Sequence, residues 1–181
     1  MTQVSKGNLN GFEILVKRHQ NKVYRLILHM LHQEEEAWDV AQEVFLKIYN
    51  SRQSYAENAK FTTWLYRIAT NAAIDRIRQL RRDQKVQGLE EHEEFVSEDH
   101  GPQDQLQIQE ARQQLERALA KLSERQRGMV IMKYYEGFAV NEIAEVFDCA
   151  AGTVKATLFQ AVRNLRDHLG QLGIADAEVI K

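Results

Sequence analysis

The feature that most constrains the fold of this chain is a long stretch, residues 12–87, that contains neither glycine nor proline. In a helix interior, glycine costs about 1 kcal/mol and proline about 3 kcal/mol relative to alanine, so their absence favours long helices. The alternation of β-branched and polar residues that would indicate strands is missing. The single proline, Pro102, directly follows Gly101. We therefore predict an all-α protein of two small helical domains.

Helical periodicity and polarity divide the chain into four segments. The first domain is predicted over residues 9–82, with helices at 12–31, 34–49 and 61–82. A linker is predicted over 83–104, a second domain over 105–172, and a frayed tail over 173–181. In the second domain, Ser123 has the position of an N-cap and Gly137 that of a helix end.

Charge is strongly segregated, although the formal net charge is only −2. Residues 60–85 contain seven Lys or Arg and two acids, whereas residues 89–104 contain seven acids and no Lys or Arg. The basic segment, 60–85, indicates a local surface that binds anions. The acidic segment, 89–104, repels itself and has few apolar residues, so we do not expect it to be ordered in isolation. The acidic linker is interpreted either as a solvated tether or as a segment that fills a positively charged channel in a partner.

The 61–82 helix carries a polar surface, here called the basic face, that suits single-stranded nucleic acid. Its members, spaced by three or four residues, are Arg67, Asn71, Asp75, Arg78 and Arg82. Arginines bind phosphates, and Asn or Asp can hydrogen-bond a base edge. Tyr55 and Phe61 flank the preceding polar loop, where they would receive an unstacked base. The alternative is a solvated face with intrahelical ion pairs; Trp64 and Tyr66 are expected in the core.

A second polar surface, the acidic-amide face, is predicted on the 34–49 helix opposite its apolar stripe. Its members are Asp39, Gln42, Glu43 and Leu46. Acidic and amide groups around an exposed leucine suit a basic partner helix, with the leucine as an apolar anchor. The alternative is an ordinary solvated helix surface.

Residues 140–166 have the spacing of a helix-turn-helix with a turn over 148–152. The residues expected to face inward are Ile143, Ala144 and Phe147, then Val154, Leu158 and Val162. The side chains expected on the recognition face, which would enter the major groove of duplex DNA, are Thr153, Lys155, Ala156, Phe159 and Gln160. Arg163 and Arg166 follow on the same helix, which has no acid from Gly152 to Arg166. A protein-binding helix pair is the alternative.

Other chemistry is not indicated. The chain has no nucleophile triad, phosphate-binding glycine loop or paired-carboxylate motif, so neither an enzyme nor a cofactor is expected. His29 and His32 lack a third ligand at metal-site spacing. The lone Cys149 cannot form an internal disulfide and fits a reducing compartment. Without a signal peptide or an apolar run of roughly 20 residues, a soluble cytoplasmic protein is predicted.

Four segments together resemble the extracytoplasmic-function (ECF) sigma factors of the sigma-70 family, a two-domain class of bacterial transcription initiation factors. They are DVAQEVFLKIY (39–49), FTTWLYRIATNAAIDRIR (61–78), LSERQRGMVIMKYYEGFAVNEIAEVF (122–147) and GTVKATLFQAVRNLR (152–166). The resemblance covers roughly residues 12–169. It implies a protein without catalysis of its own that binds core RNA polymerase and directs promoter-specific initiation.

The resemblance also implies a role for each surface. The acidic-amide face would bind the coiled-coil clamp of the largest core polymerase subunit. The 50–60 loop would capture a flipped base of the −10 element, and Asn71, Asp75 and Arg78 would line its non-template strand. The linker would thread toward the active-site channel. The recognition face would read the −35 element, with Arg163 and Arg166 on phosphates, and an anti-sigma factor would be a further partner.

The recognition helix departs from the family pattern. Many members have a Lys/Arg-Ser-Arg run where this chain has Lys155-Ala156-Thr157, and a basic residue is common where Gln160 stands. We therefore expect a modest affinity for duplex DNA. Two other functions remain open from the residues alone. One is a stand-alone helix-turn-helix regulator that binds its operator as a dimer; the other is an interaction protein that binds core polymerase without promoter selectivity.

Overall fold

The computed structural model describes residues 1–5, 7–55, 60–87 and 104–171. These ranges contain helices and no strand, which confirms the all-α prediction. The helices are α1 (Thr2–Ser5), α2 (Leu9–Leu31), α3 (Glu34–Asn50), α4 (Phe61–Gln87), α5 (Asp104–Ala120), α6 (Glu124–Val130), α7 (Val140–Val146) and α8 (Ala151–Gln171). A 3-10 turn, Arg52–Ser54, follows α3, and a π-helical segment, Ile131–Tyr135, continues α6. Within the same ranges, no helix combines the length and apolarity that crossing a membrane requires.

Helices α2, α3 and α4 pack together as the first helical unit. Their apolar stripes meet in a core that includes Val23, Leu26, Ile27, Val44, Ile48, Leu65 and Ala69, all buried. Asn8 caps the start of α2, because its Oδ1 accepts a hydrogen bond from the backbone N–H of Gly11 at 2.9 Å. His32 ends α2 in the left-handed conformation, with φ of 59°. The unit follows from helical periodicity and local capping.

Helix α4 continues five residues beyond the end at Arg82 that the sequence predicts. The added residues, 83–87, contain no helix breaker, and the first glycine is Gly88. The helix therefore includes the first part of the predicted linker, and α5 begins at its last residue, Asp104. Residues 88–103, with most of the acidic segment, lie outside the described residues, as does the predicted tail at 173–181.

The second helical unit, α5 to α8, begins its central helix as predicted. The Ser123 Oγ accepts a hydrogen bond from the Gln126 backbone N–H at 3.3 Å, and the Gln126 Oε1 accepts one from the Ser123 N–H at 3.2 Å. This reciprocal pair is a capping box, which satisfies two backbone donors at the start of α6. Gly137, with φ of 71°, follows the π-helical segment and turns the chain toward α7.

The two units share one hydrophobic core, an arrangement that the sequence did not predict. Every residue from 127 to 132 is buried, because α6 and its π-helical continuation pack against both units. Gly128 marks the closest approach: a Cβ there would lie 2.9 Å from the Phe147 ring and 3.5 Å from side-chain carbons of Met30 and Thr70. The units therefore meet along a close-packed contact.

Arg127 is a charged residue buried in this contact, with 3% of its surface exposed. Its guanidinium donates hydrogen bonds to the backbone oxygens of Met30 at 2.6 Å, Leu119 at 3.0 Å and Ala120 at 2.5 Å. These carbonyls belong to the last turns of α2 and α5, where unpaired carbonyls and the helix dipole favour a cation. Arg127 thus caps one helix of each unit and ties the units together.

Candidate nucleic-acid and protein interfaces

The acidic-amide face lies on the outer side of α3, and all four of its members are exposed. Leu46 is 63% exposed, although the neighbouring Val44 and Phe45 are buried. The expected separation between an apolar stripe and a polar surface is therefore confirmed. An exposed leucine among acids and an amide is suited to bind a partner rather than to stabilise the chain itself.

Trp38 extends the acidic-amide face, and the sequence reasoning missed it. It is 48% exposed, and its ring stacks on that of Tyr24 in α2 with centroids 4.3 Å apart. Spacings of four residues from Trp38 to Gln42 and from Gln42 to Leu46 place the three on neighbouring turns of one side of α3. The four-residue spacing could have identified Trp38 as a member of this face from the sequence alone. The stacking fixes a large aromatic group at an edge where a partner would bury it.

The basic face of α4 divides into two parts. Asn71, Asp75, Arg78 and Arg82 are exposed, as predicted. Arg67 is half-buried and donates a hydrogen bond to the backbone oxygen of Glu145 in α7. The packing of the two units therefore covers the N-terminal part of this surface and leaves the C-terminal part open to solvent.

Aromatic rings cluster at the N-terminal end of the basic face. The Tyr55 ring lies 5.3 Å from that of Trp64 and 6.3 Å from that of Phe61, and His19 of α2 contacts Phe61 at 5.4 Å. Tyr55, Phe61 and Trp64 are half-buried, so Trp64 lies at the margin of the core rather than inside it. Residues 56–59 of the predicted base-capturing loop lie outside the described residues. The described rings form an apolar platform that suits stacking of a base.

Tyr66 is part of the core, as expected. It is 2% exposed, and its hydroxyl donates a hydrogen bond to Glu136 at 3.1 Å. Burial and the adjacent Glu136 carboxylate raise the pKa of Tyr66 well above its ordinary value. The side chain is therefore neutral and links α4 to the second unit.

Helices α7 and α8 form the predicted helix-turn-helix, with its turn one or two residues earlier than expected. The turn spans 147–150, and α8 begins at Ala151 because the backbone N–H groups of Thr153 and Val154 already bond to the Ala150 oxygen. Gly152 is therefore helical. Asp148 takes the left-handed conformation instead, with φ of 49°, which short polar side chains tolerate.

The recognition face projects from the first turns of α8. All seven of the predicted DNA-binding residues are exposed; they are Thr153, Lys155, Ala156, Phe159, Gln160, Arg163 and Arg166. Phe159 is 73% exposed, and the Gln160 amide donates a hydrogen bond to Asn164 at 2.9 Å, which leaves its oxygen as an acceptor. On the opposite side Val154, Leu158 and Ala161 are buried, whereas Val162 is only partly covered.

Arg125 of α6 contacts Phe147, the first residue of the helix-turn-helix turn. Its guanidinium donates a hydrogen bond to the Phe147 backbone oxygen at 2.8 Å and lies 5.3 Å from the centre of the Phe147 ring. The oxygen belongs to the residue that ends α7, so the arginine caps that helix.

Two histidines at the end of α2 contact an acid of the second unit. The Nδ1 of His32 lies 3.0 Å and that of His29 3.6 Å from Glu116 of α5. Burial alone would raise the pKa of Glu116, but hydrogen bonds from both histidines outweigh it and lower the pKa to about 2. In the described ranges, no group of three or more His, Cys, Asp or Glu has the arrangement of a metal site. The cluster therefore links the C-terminal end of α2 to α5 of the second unit.

This contact predicts a defined pH dependence of stability. The folded-state pKa of Glu116 lies below the ordinary 4.5, so its stabilisation is complete above pH 4.5 and is lost as the pH falls toward 2. We expect Glu116→Gln to lower the free energy of unfolding by about 2–3 kcal/mol near pH 5.5. The difference between the two proteins should shrink toward about pH 2.5. Urea unfolding at a series of pH values measures it, with Glu110→Gln on the exposed side of α5 as the control; a deficit independent of pH would contradict the prediction.

Comparisons with known families agree with the division into two units. Residues 15–83 match the family Sigma-70 region 2, and residues 112–165 match the family Sigma-70, region 4. The chain is 34% identical over 177 residues to the ECF RNA polymerase sigma factor SigW of Bacillus subtilis, covering 94% of this chain and 95% of that protein. It is 32% identical to the RNA polymerase sigma-H factor of Pseudomonas aeruginosa, covering 88% of this chain and 86% of that protein.

The fold also resembles a solved structure. The sigma factor RpoE from Bartonella quintana, determined in complex with the anti-sigma factor NepR, superposes with a TM-score of 0.71 at 22% identity. The match covers 90% of this chain and 98% of that chain. At this identity the likeness concerns the fold alone.

Proposed function

The chain belongs to the ECF sigma factors of the sigma-70 family, and we propose that its exposed faces divide the work of promoter recognition between its two helical units. As a sigma factor, it acts with core RNA polymerase in promoter-specific transcription initiation. The observation that carries this conclusion is the ordered match to both sigma regions, together with a relative of 34% identity over 94% of the chain.

The first unit is proposed to bind polymerase through the acidic-amide face. Leu46 and Trp38 are exposed apolar anchors, and Asp39 and Glu43 supply negative charge around them. A basic coiled coil, such as the clamp of the largest core subunit, is complementary to this pattern. The surface is available in the free protein, because none of its four members is covered.

The same unit is proposed to hold the non-template strand of the −10 element. Arg78 and Arg82, which are exposed, would bind phosphates, and the exposed Asn71 and Asp75 would hydrogen-bond base edges. The ring cluster of Tyr55 and Phe61 would stack an unpaired base at the other end of the helix. Strand opening would then be driven by binding free energy rather than by catalysis.

The second unit is proposed to read the −35 element with the recognition face. Lys155, Phe159 and Gln160 are exposed on the first turns of α8, the part of a recognition helix that contacts base edges. Arg163 and Arg166, one or two turns further on, are suited to phosphates. Phe159 presents an apolar ring that suits the methyl group of thymine.

Further partners and a location are proposed on the basis of the same family assignment. Sigma factors are not catalytic enzymes, and we propose that this chain acts by binding alone, in the cytoplasm where core polymerase works. An anti-sigma factor is a further proposed partner, because the faces that bind polymerase and DNA are exposed and suited to a competing protein.

Run-off transcription tests the proposed function. Purified bacterial core RNA polymerase is incubated with a genomic promoter library, with and without this protein. Discrete transcripts that depend on the protein are expected, and their start sites define both promoter elements. Absence of transcripts, together with binding of operator DNA by the protein alone as a dimer, would instead identify a stand-alone regulator.

Lys155 offers a sharper test of the −35 assignment. If its ammonium reads a guanine, Lys155→Ala should weaken promoter binding by the holoenzyme by about 1–3 kcal/mol, and mainly on promoters that carry that base. Lys22→Ala, an exposed lysine of α2, is the control. Promoter affinity measured at several salt concentrations separates the alternatives. An equal loss on all promoters with a shallower salt dependence would assign Lys155 to a phosphate.

A further inference from the structure

Helix α2 carries a row of exposed positive charges outside the surfaces described above. Its members, here called the α2 row, are Arg18, Lys22 and Arg25, and all three are exposed. Spacings of four and three residues place them on one side of the helix. The single acid of α2, Glu13, pairs with Lys17 at 2.7 Å. Across the part of the chain that the structure describes, no carboxylate forms an ion pair with the α2 row, so its charges are open to an external anion.

One end of the α2 row lies beside the aromatic ring cluster at the start of α4. His19, the residue after Arg18, contacts the Phe61 ring with centroids 5.4 Å apart. Burial, followed by the charges of Arg18 and Lys22, lowers the pKa of His19, so the positive charge of the row acts at the edge of the ring cluster. The imidazole is therefore neutral near pH 7, and it adds one hydrogen-bond donor and one acceptor to that edge.

The other end of the α2 row lies near α4. Arg25 is close enough to Tyr66 for its charge to oppose the rise in the pKa of that hydroxyl, which burial and Glu136 cause. The row therefore follows the side of α2 that is next to α4. From Arg18 to Arg25 the helix rises about 10 Å, which corresponds to about three nucleotides at the 3.4 Å spacing along one strand of a duplex.

We propose that the α2 row is a second phosphate-binding surface for single-stranded DNA, and that the strand whose base stacks on the ring cluster continues across α2. This inference rests on the proposed function of the first unit. Sites for single strands combine aromatic rings that stack bases with a positively charged surface along the backbone, and His19 joins the two here. The strand contacts α4 through the basic face and α2 through the row.

The chemistry of the α2 row determines what it contributes. Arginine and lysine side chains on phosphates fix the position of a strand and carry no sequence information. The row therefore adds affinity on every sequence, whereas base selection stays with α4 and the ring cluster. An acidic protein segment is the alternative occupant, since it would match the charges, but it has no bases to stack on the rings.

The salt dependence of binding tests the proposal. A fluorescent oligothymidylate of about 20 nucleotides is titrated with the full-length protein at several salt concentrations. For R18Q/K22Q/R25Q, the slope of log K against log[salt] should become shallower by about 2, because each lost contact with a single strand removes about 0.7. Affinity at about 0.1 M salt should fall at least about tenfold. R18K/R25K, which keeps the charges, should retain the slope of the parent.

A matched control separates phosphate contacts from net charge. K17Q/K47Q/K121Q removes three positive charges at exposed sites outside the row, and its slope should stay that of the parent. Circular dichroism checks that all variants keep their helicity. Poly-L-glutamate of matched length, titrated in the same way, tests the acidic alternative and should bind the parent more weakly than the oligonucleotide does.

The proposal also defines the behaviour of Lys22 in the holoenzyme. Lys22→Ala, the control for Lys155→Ala, should act as a phosphate contact, with an equal loss on all promoters and a shallower salt dependence. It thus supplies the sequence-independent reference against which a base-reading lysine is recognised.

Two results overturn the inference. If the slopes of R18Q/K22Q/R25Q and of the control change equally, the α2 row makes no phosphate contact. If the parent binds poly-L-glutamate as tightly as the oligonucleotide, and R18Q/K22Q/R25Q loses both, the row is a docking surface for an acidic protein. Run-off transcription with the parent is measured in parallel. Protein-dependent transcripts alongside either result would retain the sigma function and reject only the strand path across α2.

Discussion

Replacing Leu46 with aspartate is expected to weaken binding of core RNA polymerase by at least about 30-fold, or about 2 kcal/mol. Leu46 is 63% exposed in the free chain, so the substitution removes little packing within the protein. In the proposed complex it would place a carboxylate where the apolar anchor would be buried, beside the existing acids Asp39 and Glu43. Asp39→Arg should give a similar loss, because it places a positive charge against a basic partner.

A matched control separates this effect from a general effect of charge. Leu9, at the start of α2, is 64% exposed, so Leu9→Asp makes the same substitution at a closely similar exposure but away from the acidic-amide face. We expect wild-type polymerase affinity for Leu9→Asp in a fluorescence titration, and unchanged helicity by circular dichroism for both variants. Equal affinities for the two variants would remove α3 from the polymerase interface.

The second large effect is expected at Arg127, on stability rather than on binding. Arg127→Met keeps an unbranched, flexible side chain but leaves the backbone oxygens of Met30, Leu119 and Ala120 without their present donor in a buried environment. Charged hydrogen bonds contribute about 1.5–3 kcal/mol each, and buried acceptors left unpaired are costly. We expect the free energy of unfolding to fall by about 3–5 kcal/mol, measured by urea unfolding.

Arg125→Met calibrates the Arg127 measurement. Arg125 is two residues earlier in the same helix, is exposed, and donates to one backbone oxygen. Its loss should cost about 1 kcal/mol or less. If the two variants unfold at the same urea concentration, the contribution of Arg127 to the free energy of unfolding does not depend on its burial between the units.

Much of the fold was predictable because its signals are local. The apolar stripes of α2 and α3 and the Ser123 cap each depend on a few neighbouring residues. The absence of glycine and proline from residues 12–87 permits the long helices that the structure contains in this range. The exposed positions on α3 and α8 follow from the same periodicity. The end of α4 was misplaced because no stop signal precedes Gly88. The end of the helix-turn-helix turn was misplaced because α8 already begins at Ala151, so that Gly152 is helical.

The packing between the units was not predictable in this way. Periodicity identifies which side of a helix is apolar, but not which distant helix will cover it. Arg127 was missed because an arginine in a helix is normally exposed, and its burial depends on two helix ends that are remote in sequence. The apolar run from 128 to 132 that follows it was the available signal, since a helix that is apolar on several sides must be surrounded.

The close approach at Gly128 links parts of the molecule that sequence evolution would otherwise change separately. Phe147 ends the first helix of the helix-turn-helix, whereas Met30 and Thr70 belong to the first unit, yet all three would contact a single added methyl group. A larger residue at 128 is therefore tolerated only if one of these neighbours becomes smaller or moves. Among natural relatives that keep this packing, residues at these four positions should covary, so that drift in one unit restricts which changes the other can accept.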